Sequence, residues 1–282
     1  MAGGAFRKPR LWPVPLFRAP VTLPAMNLEL DHRTALVTGA TRGIGRAIAL
    51  GFARERCRLV ICARGERELR HVTEELREAG APAVRALAVD VTHEASADAL
   101  IAAAEELGGL DVVVSSAGGN RHKRFEDTTD GDWRELLELN AISGLRLARA
   151  AIPSLRRRGG GAITFIASIW GREAGGVNYT LYNASKSALI SAAKVLATEL
   201  APERIRVNTV APGSIRFPGG GWDRRMREDP EGISAFVGQN MPLDRFGTVD
   251  EVADVAAFLL SDRASLVTGA CIPIDGAQGR TL

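Results

Sequence analysis

Short apolar runs alternate with amphipathic stretches from residue 34 to the end of the chain, and this alternation leaves few folds open. The runs are TALVT (34–38), RLVIC (58–62), AVRALAVD (83–90), LDVVVSS (110–116), GAITFIAS (161–168), RIRVNTVA (204–211) and ACIPID (270–275). Helical spacing marks 43–56, 66–79, 95–107, 130–157, 177–201 and 249–260. Strand and helix in regular turn predict an α/β domain, a doubly wound parallel sheet of about seven strands with helices on both faces. The first, second and fourth runs are almost wholly apolar, as strands covered on both sides must be. No repeat or linker interrupts 30–282, so we read it as a single domain. Segment 213–247, rich in Gly, Pro, Arg and Trp, is long for a loop and reads as a lid.

Charge separates the body from the N-terminal stretch. The chain has 282 residues, with 36 Lys and Arg against 33 Asp and Glu. Arg7, Lys8, Arg10 and Arg18 lie in 1–26 without one acid, so the remainder is close to neutral, which argues against a nucleic-acid binder. Prolines 9, 13, 15, 20 and 24 break any helix there, and its apolar pieces are too short for a signal peptide. We read 1–29 as a disordered basic Pro-rich extension, with Met26 as an alternative start. No apolar run is long enough to span a membrane. Cys57, Cys62 and Cys271 are scattered and odd in number, as reduced thiols of a cytoplasmic protein would be. His32, His71, His93 and His122 lack metal-ligand spacing, so no metal site is expected.

The first run leads into Gly39-Ala40-Thr41-Arg42-Gly43-Ile44-Gly45 and then a helix. Glycines there let backbone amides approach a pyrophosphate, and the helix N-terminus attracts its charge. The expected fold is therefore Rossmann-like. A site for NAD usually carries an acid at the end of the second strand. This chain has Cys62-Ala63-Arg64 and no acid until Glu66. Arg64 and Arg42 together suit a 2′-phosphate, so NADP(H) is preferred over NAD(H).

Tyr182 and Lys186 are four residues apart in a helical stretch, and Ser168 ends the fifth run. Side chains at i and i+4 share a helix face. An ammonium within ~4–6 Å should lower the phenol from its reference near 10 by roughly 1–3 units, tuning it for proton exchange with an alcohol or carbonyl. Tyr179 has Asn183 at i+4 and lacks such a partner. A surface Tyr and Lys on an amphipathic helix would read alike if they stood alone.

Together these residues resemble the short-chain dehydrogenase/reductase family in its single-domain branch, over roughly 30–282. The turn at 38–45 matches in spacing, and Ser168, Tyr182 and Lys186 match the catalytic trio in order and spacing. The resemblance implies that Asp90-Val91 contacts the adenine. It makes Ala117-Gly118 the turn after the fourth strand, where Ser115 and Ser116 replace two asparagines. Asn140 becomes a catalytic Asn that anchors a water beyond Lys186. Pro212-Gly213 becomes the turn beside the nicotinamide, with Ile215 meeting the carboxamide. Phe217 departs from a common Thr.

The function implied is NADP(H)-dependent interconversion of a carbonyl and a secondary alcohol, with a 3-oxoacyl thioester on acyl carrier protein or CoA as the leading substrate. Arg121, Lys123 and Arg124, or Arg156, Arg157 and Arg158, would dock an acidic carrier. A sugar, steroid or cyclic-ketone dehydrogenase is the alternative, and an idle NADP-binding sensor or scaffold is a second class. Phe217, Trp222, Met226, Trp170 and Asn120 are candidates for the substrate wall. The resemblance also implies a homotetramer or homodimer built through 130–157 and 177–201.

Overall fold

The computed structural model describes residues 27–281. The strands are β1 (Thr34–Thr38), β2 (Arg58–Ala63), β3 (Val84–Ala88), β4 (Val112–Ser115), β5 (Gly161–Ile166), β6 (Ile205–Pro212) and β7 (Cys271–Ile274). They form one 7-stranded sheet in the order β3-β2-β1-β4-β5-β6-β7, parallel throughout. The helices are α1 (Gly43–Arg54), α2 (Glu66–Glu78), α3 (Ala95–Glu105), α4 (Asp130–Leu137), α5 (Ser143–Arg157), α6 (Thr180–Leu200), α7 (Gly221–Glu228), α8 (Pro230–Asn240) and α9 (Val249–Leu260).

Side-chain alternation in the strands divides the core in two. Ala35 and Val37 of β1 pack with Phe52 of α1 and Val252 and Leu259 of α9. Leu36 points the other way, among Leu100 of α3, Leu147 of α5 and Leu189 of α6. Every position of β1 is buried, which only a strand between two layers can sustain. Leu36 sits opposite Val60 of β2 on one side and Val113 of β4 on the other. The winding therefore reverses between β1 and β4, and the crevice beyond their carboxyl ends is where such sheets hold ligands.

Three expectations need correction. The stretch 130–157 is not one helix, because a π-turn at Glu138–Ile142 separates α4 from α5. Segment 213–247 is not irregular, because it folds into α7 and α8. The Gly and Pro there are helix boundaries: Pro230 opens α8, and the Asp229 side chain accepts from Gly232 N–H to cap it. Trp222 stacks on Phe236 with centroids 4.8 Å apart and lies 5.2 Å from Phe246, so the pair carries a small core of its own. Of the extension expected over 1–29, residues 1–26 lie outside the described residues. Leu28 packs against the core and Arg263 Nε donates to the Asn27 carbonyl, so the packed body reaches back to residue 27.

Candidate active site

The Gly-rich turn is shaped by its own close approaches. Gly39 and Gly43 have φ of 66° and 57°, in the left-handed region. A Cβ on Gly45 would lie 2.4 Å from the Gly39 carbonyl oxygen, so only glycine fits. No side chain caps the N-terminus of α1, which leaves its amide end to an anion. The adjacent turn after β4 is tied to this one by Thr38, whose Oγ1 accepts from Ser116 N–H at 3.0 Å and Ala117 N–H at 3.1 Å. A hydroxyl on β1 thus fixes the turn, and the exchange of asparagines for Ser115 and Ser116 leaves it ordered.

These turns border a groove of about 1150 Å³ along the carboxyl edge of the sheet. Gly39, Thr41, Arg42, Gly43, Ile44 and Gly45 line one end, with Arg64, Asp90 and Val91 beside them. Ala117, Gly118, Ser168, Tyr182, Lys186, Pro212, Gly213 and Ile215 line the other. Every expected catalytic or cofactor residue except Asn140 therefore meets one cavity. Cradle, exposed amide end and length of groove suit a dinucleotide.

The end near β2 sets two charges against each other. Arg42 and Arg64 are exposed and have no carboxylate within salt-bridge distance among the described residues. Glu68, which the sequence reading passed over, also lines the groove, with its carboxylate turned back toward Gly65 and bonded by Arg67. Asp90 is held below the usual carboxylate range, first by the Thr92 backbone N–H.

At the other end, the Ser168 hydroxyl lies close enough to the Tyr182 phenol to act on its proton affinity. Ser168 follows β5 and its Oγ accepts from Trp170 N–H, which pins the side chain toward α6. Lys186 is 5 % exposed, and its Nζ donates to the Ile166 carbonyl at 2.8 Å. It sits 5.9 Å from the centre of the Tyr182 ring. The expected lowering of the phenol is overturned: Tyr182 lies above its ordinary value, chiefly because burial disfavours the phenolate, while the Ser168 hydroxyl pulls the other way. Burial also pushes the Lys186 ammonium down, to about 8, so it stays charged at neutral pH and gives up its proton just above that. Spacing alone could not reveal this, since desolvation depends on what covers the helix face.

Asn140 lies behind the groove, in the π-turn. Its Nδ2 donates to the Gly119 carbonyl at 2.9 Å and to Ser185 Oγ at 3.0 Å, and its Oδ1 accepts from Gly119 N–H at 2.8 Å. Ser185 Oγ in turn donates to the Tyr182 carbonyl. The amide is therefore a clamp between the β4 turn and the helix that carries Tyr182 and Lys186. Thr38 and Ser185 carry no sequence signal because they act through distant partners, the Ser116 and Ala117 amides and Asn140, and Glu68 reaches the groove only once the chain is folded.

Comparison with known proteins follows this geometry. The family described as Enoyl-(Acyl carrier protein) reductase matches residues 39–277. The 7α-hydroxysteroid dehydrogenase of Escherichia coli (strain K12) is 34% identical over 251 residues, covering 89% of this chain and 95% of the relative. The chain belongs to the short-chain dehydrogenase/reductase family. It is accordingly an oxidoreductase of the carbonyl–alcohol type. Its fold is similar to L-sorbose reductase from Gluconobacter frateurii complexed with NADPH and L-sorbose, at TM-score 0.87, 33% identity, and 91% and 100% of the two chains. It is also similar to a 7α-hydroxysteroid dehydrogenase complexed with NADH and 7-oxo glycochenodeoxycholic acid, at TM-score 0.82, 33% identity, and 89% and 96% coverage.

Against the family pattern, Phe217 is the departure with a visible consequence. Its ring covers the Gly-rich turn so closely that a Cβ on Gly43 would lie 2.8 Å from it. Phe217, Trp222 and Asn120 line the groove; Trp170 and Met226 do not. Trp170 instead packs behind the site, 4.3 Å from Tyr179 and 6.3 Å from Tyr182 between ring centroids. The basic clusters are neutralised within the chain. Arg121 and Lys123 share Asp132, Arg121 also bonds Glu135, and Arg124 bonds Glu126. Arg156, Arg157 and Arg158 pair with Glu203, Glu105 and Asp111. Among the described residues no helix is long and apolar enough to cross a membrane, and no His, Cys, Asp and Glu group suited to a metal occurs.

Proposed function

We propose that the protein is an NADP(H)-dependent reductase of small-molecule ketones, working reversibly on the corresponding secondary alcohols. The observation that carries this is the convergence of Ser168, Tyr182 and Lys186 on one end of the groove, with Lys186 buried one helical turn from Tyr182. When bound, the nicotinamide supplies the hydride. Tyr182, held protonated by burial, gives its proton to the carbonyl oxygen. Ser168 donates to the same oxygen and fixes its place. Lys186 binds the nicotinamide ribose and steadies the phenolate left behind. Asn140 holds the β4 turn against α6, and by family likeness anchors the water through which Lys186 recovers a proton.

Arg42 and Arg64, near β2 and without a carboxylate within salt-bridge distance among the described residues, support the 2′-phosphated cofactor. NADPH in the sorbose reductase supports it too, while NADH in the hydroxysteroid dehydrogenase and Glu68 in the groove favour the rival. A 3-oxoacyl thioester keeps the support of the matched family's description. Docking of an acidic carrier loses support, because each expected cluster already has its acids. Ile142 and Val195, exposed on the helical faces expected to pair, favour a homotetramer or homodimer. The test is NADPH and NADH consumption across a panel of ketones. Carbonyl-dependent turnover with higher kcat/KM for NADPH is expected. Preference for NADH would overturn the cofactor assignment, and silence across the panel would favour a sensor.

A further inference from the structure

One guanidinium beside the groove-lining Trp222 has no acid within salt-bridge distance among the described residues. Arg225, on α7, is exposed, and its contacts are with neutral groups. Its Nη2 donates to Tyr179 Oη at 3.1 Å, and its guanidinium lies 5.1 Å from the centre of the Trp222 ring. The two contacts place it. Trp222 lines the groove, while Tyr179 shares the Trp170 ring with Tyr182 and is close enough to act on the Tyr182 charge. Arg225 therefore sits between Trp222, which lines the groove, and Tyr179, which packs behind Tyr182 through Trp170.

Arg224 is likewise without a carboxylate within salt-bridge distance among the described residues but does not touch the groove-lining Trp222 or Tyr179, and the other three arginines of 213–247 are paired. Arg216 and Arg227 both bond Asp223, and Arg245 bonds Glu251. The acids around the rim are also taken: Glu135 by Arg121, Glu138 by Arg146, and Glu173 by the backbone N–H groups of Arg280 and Thr281. Among the described residues no carboxylate lies within salt-bridge distance of Arg225. A guanidinium has five donors, and a phenol oxygen and an indole face leave most of them open. They also hold it in place, so an anion meets a fork already aimed.

We propose that the substrate is a ketone carrying a carboxylate, which Arg225 receives while the carbonyl lies against Ser168 and Tyr182. Tyr179 positions the guanidinium, and Trp222 supplies an apolar wall for the carbon frame between the two groups. This rests on the carbonyl-reductase reading above and names its substrate class.

The probes are 4-acetylbenzoate and its methyl ester, compared with wild type, Arg225→Gln, Arg225→Lys and Tyr179→Phe. Wild type should favour the carboxylate, mainly through KM. Arg225→Gln should reduce the carboxylate-to-ester ratio of kcat/KM by roughly 10- to 100-fold, the scale of a charge-assisted hydrogen bond. Arg225→Lys should restore part of the ratio, and Tyr179→Phe should lower it less. An ester preferred by wild type, or a ratio that Arg225→Gln does not move, overturns the proposal and leaves the reductase reading intact. Binding of 4-acetylbenzoate to the enzyme–NADP⁺ complex, followed by tryptophan fluorescence, separates the two claims. Arg225-dependent binding without turnover of any ketone would sink the reductase reading and the substrate claim with it, leaving Arg225 as a carboxylate-binding group only. No Arg225-dependent binding would sink this proposal.

Discussion

Replacing Lys186 by Met should stabilise the fold while it removes activity. Burial lowers the Lys186 ammonium from 10.5 to about 8. At about 1.4 kcal/mol for each tenfold change in proton affinity, carrying that charge costs the folded chain on the order of 3 kcal/mol at neutral pH. Methionine has similar bulk and no charge to desolvate. Against this gain stands the bond from Nζ to the Ile166 carbonyl, 2.8 Å long and buried. Losing it and leaving the carbonyl unpaired costs about 1–2 kcal/mol. The variant should therefore gain about 1–2 kcal/mol at pH 7.

The sign of the pH dependence follows from proton counts. The unfolded chain holds the Lys186 proton more tightly than the folded chain does. The cost is thus full below about 8, shrinks from there to 10.5, and is gone above. The advantage of the variant must fade over that window and reverse once the amine is neutral in both states. Urea unfolding near pH 7 and near pH 10, without added nucleotide, reads both numbers. A variant less stable than wild type at neutral pH, or a difference that ignores pH, would refute the reasoning.

Other perturbations probe separate parts of the site. Carbonyl reduction should be level near neutrality and fall above about pH 8 as Lys186 loses its proton, with Tyr182 still protonated; a pH profile of kcat/KM flat through pH 9 would contradict this. Phe217→Thr uncovers Gly43 and should tighten NADPH binding by roughly 3- to 10-fold in a fluorescence titration, on the scale of one hydrogen bond gained. Thr38→Val leaves the Ser116 and Ala117 amides without their acceptor and should cost about 2–3 kcal/mol in urea unfolding, with weaker cofactor binding. Glu68→Gln removes a negative charge from the lining of the groove near β2 and should raise the NADPH-to-NADH ratio of kcat/KM.

Much of this architecture is legible in the chain because its signals are local. Strands buried on both faces must be apolar throughout, so TALVT and RLVIC announce themselves, and the 249–260 periodicity matches α9. The Gly39–Gly45 turn is readable because backbone approach demands glycine. The helices of 213–247 are hidden in the sequence because its Gly and Pro resemble loop residues, although Pro at the first helical position begins a helix, as Pro230 does for α8. The π-turn leaves no mark in periodicity. The Tyr182 proton affinity was misjudged for a similar reason: spacing brings Lys186 onto its face, but burial of both groups comes from elements far away in sequence. Thr38, Ser185 and Arg225 escaped notice because each matters through a partner from another element.

The most direct test is Tyr182→Phe, with NADPH binding and ketone turnover measured on the same preparation. Binding within a few-fold of wild type and turnover reduced at least about 100-fold is the predicted pair, since only the proton donor is lost. Turnover near that of wild type would contradict the account.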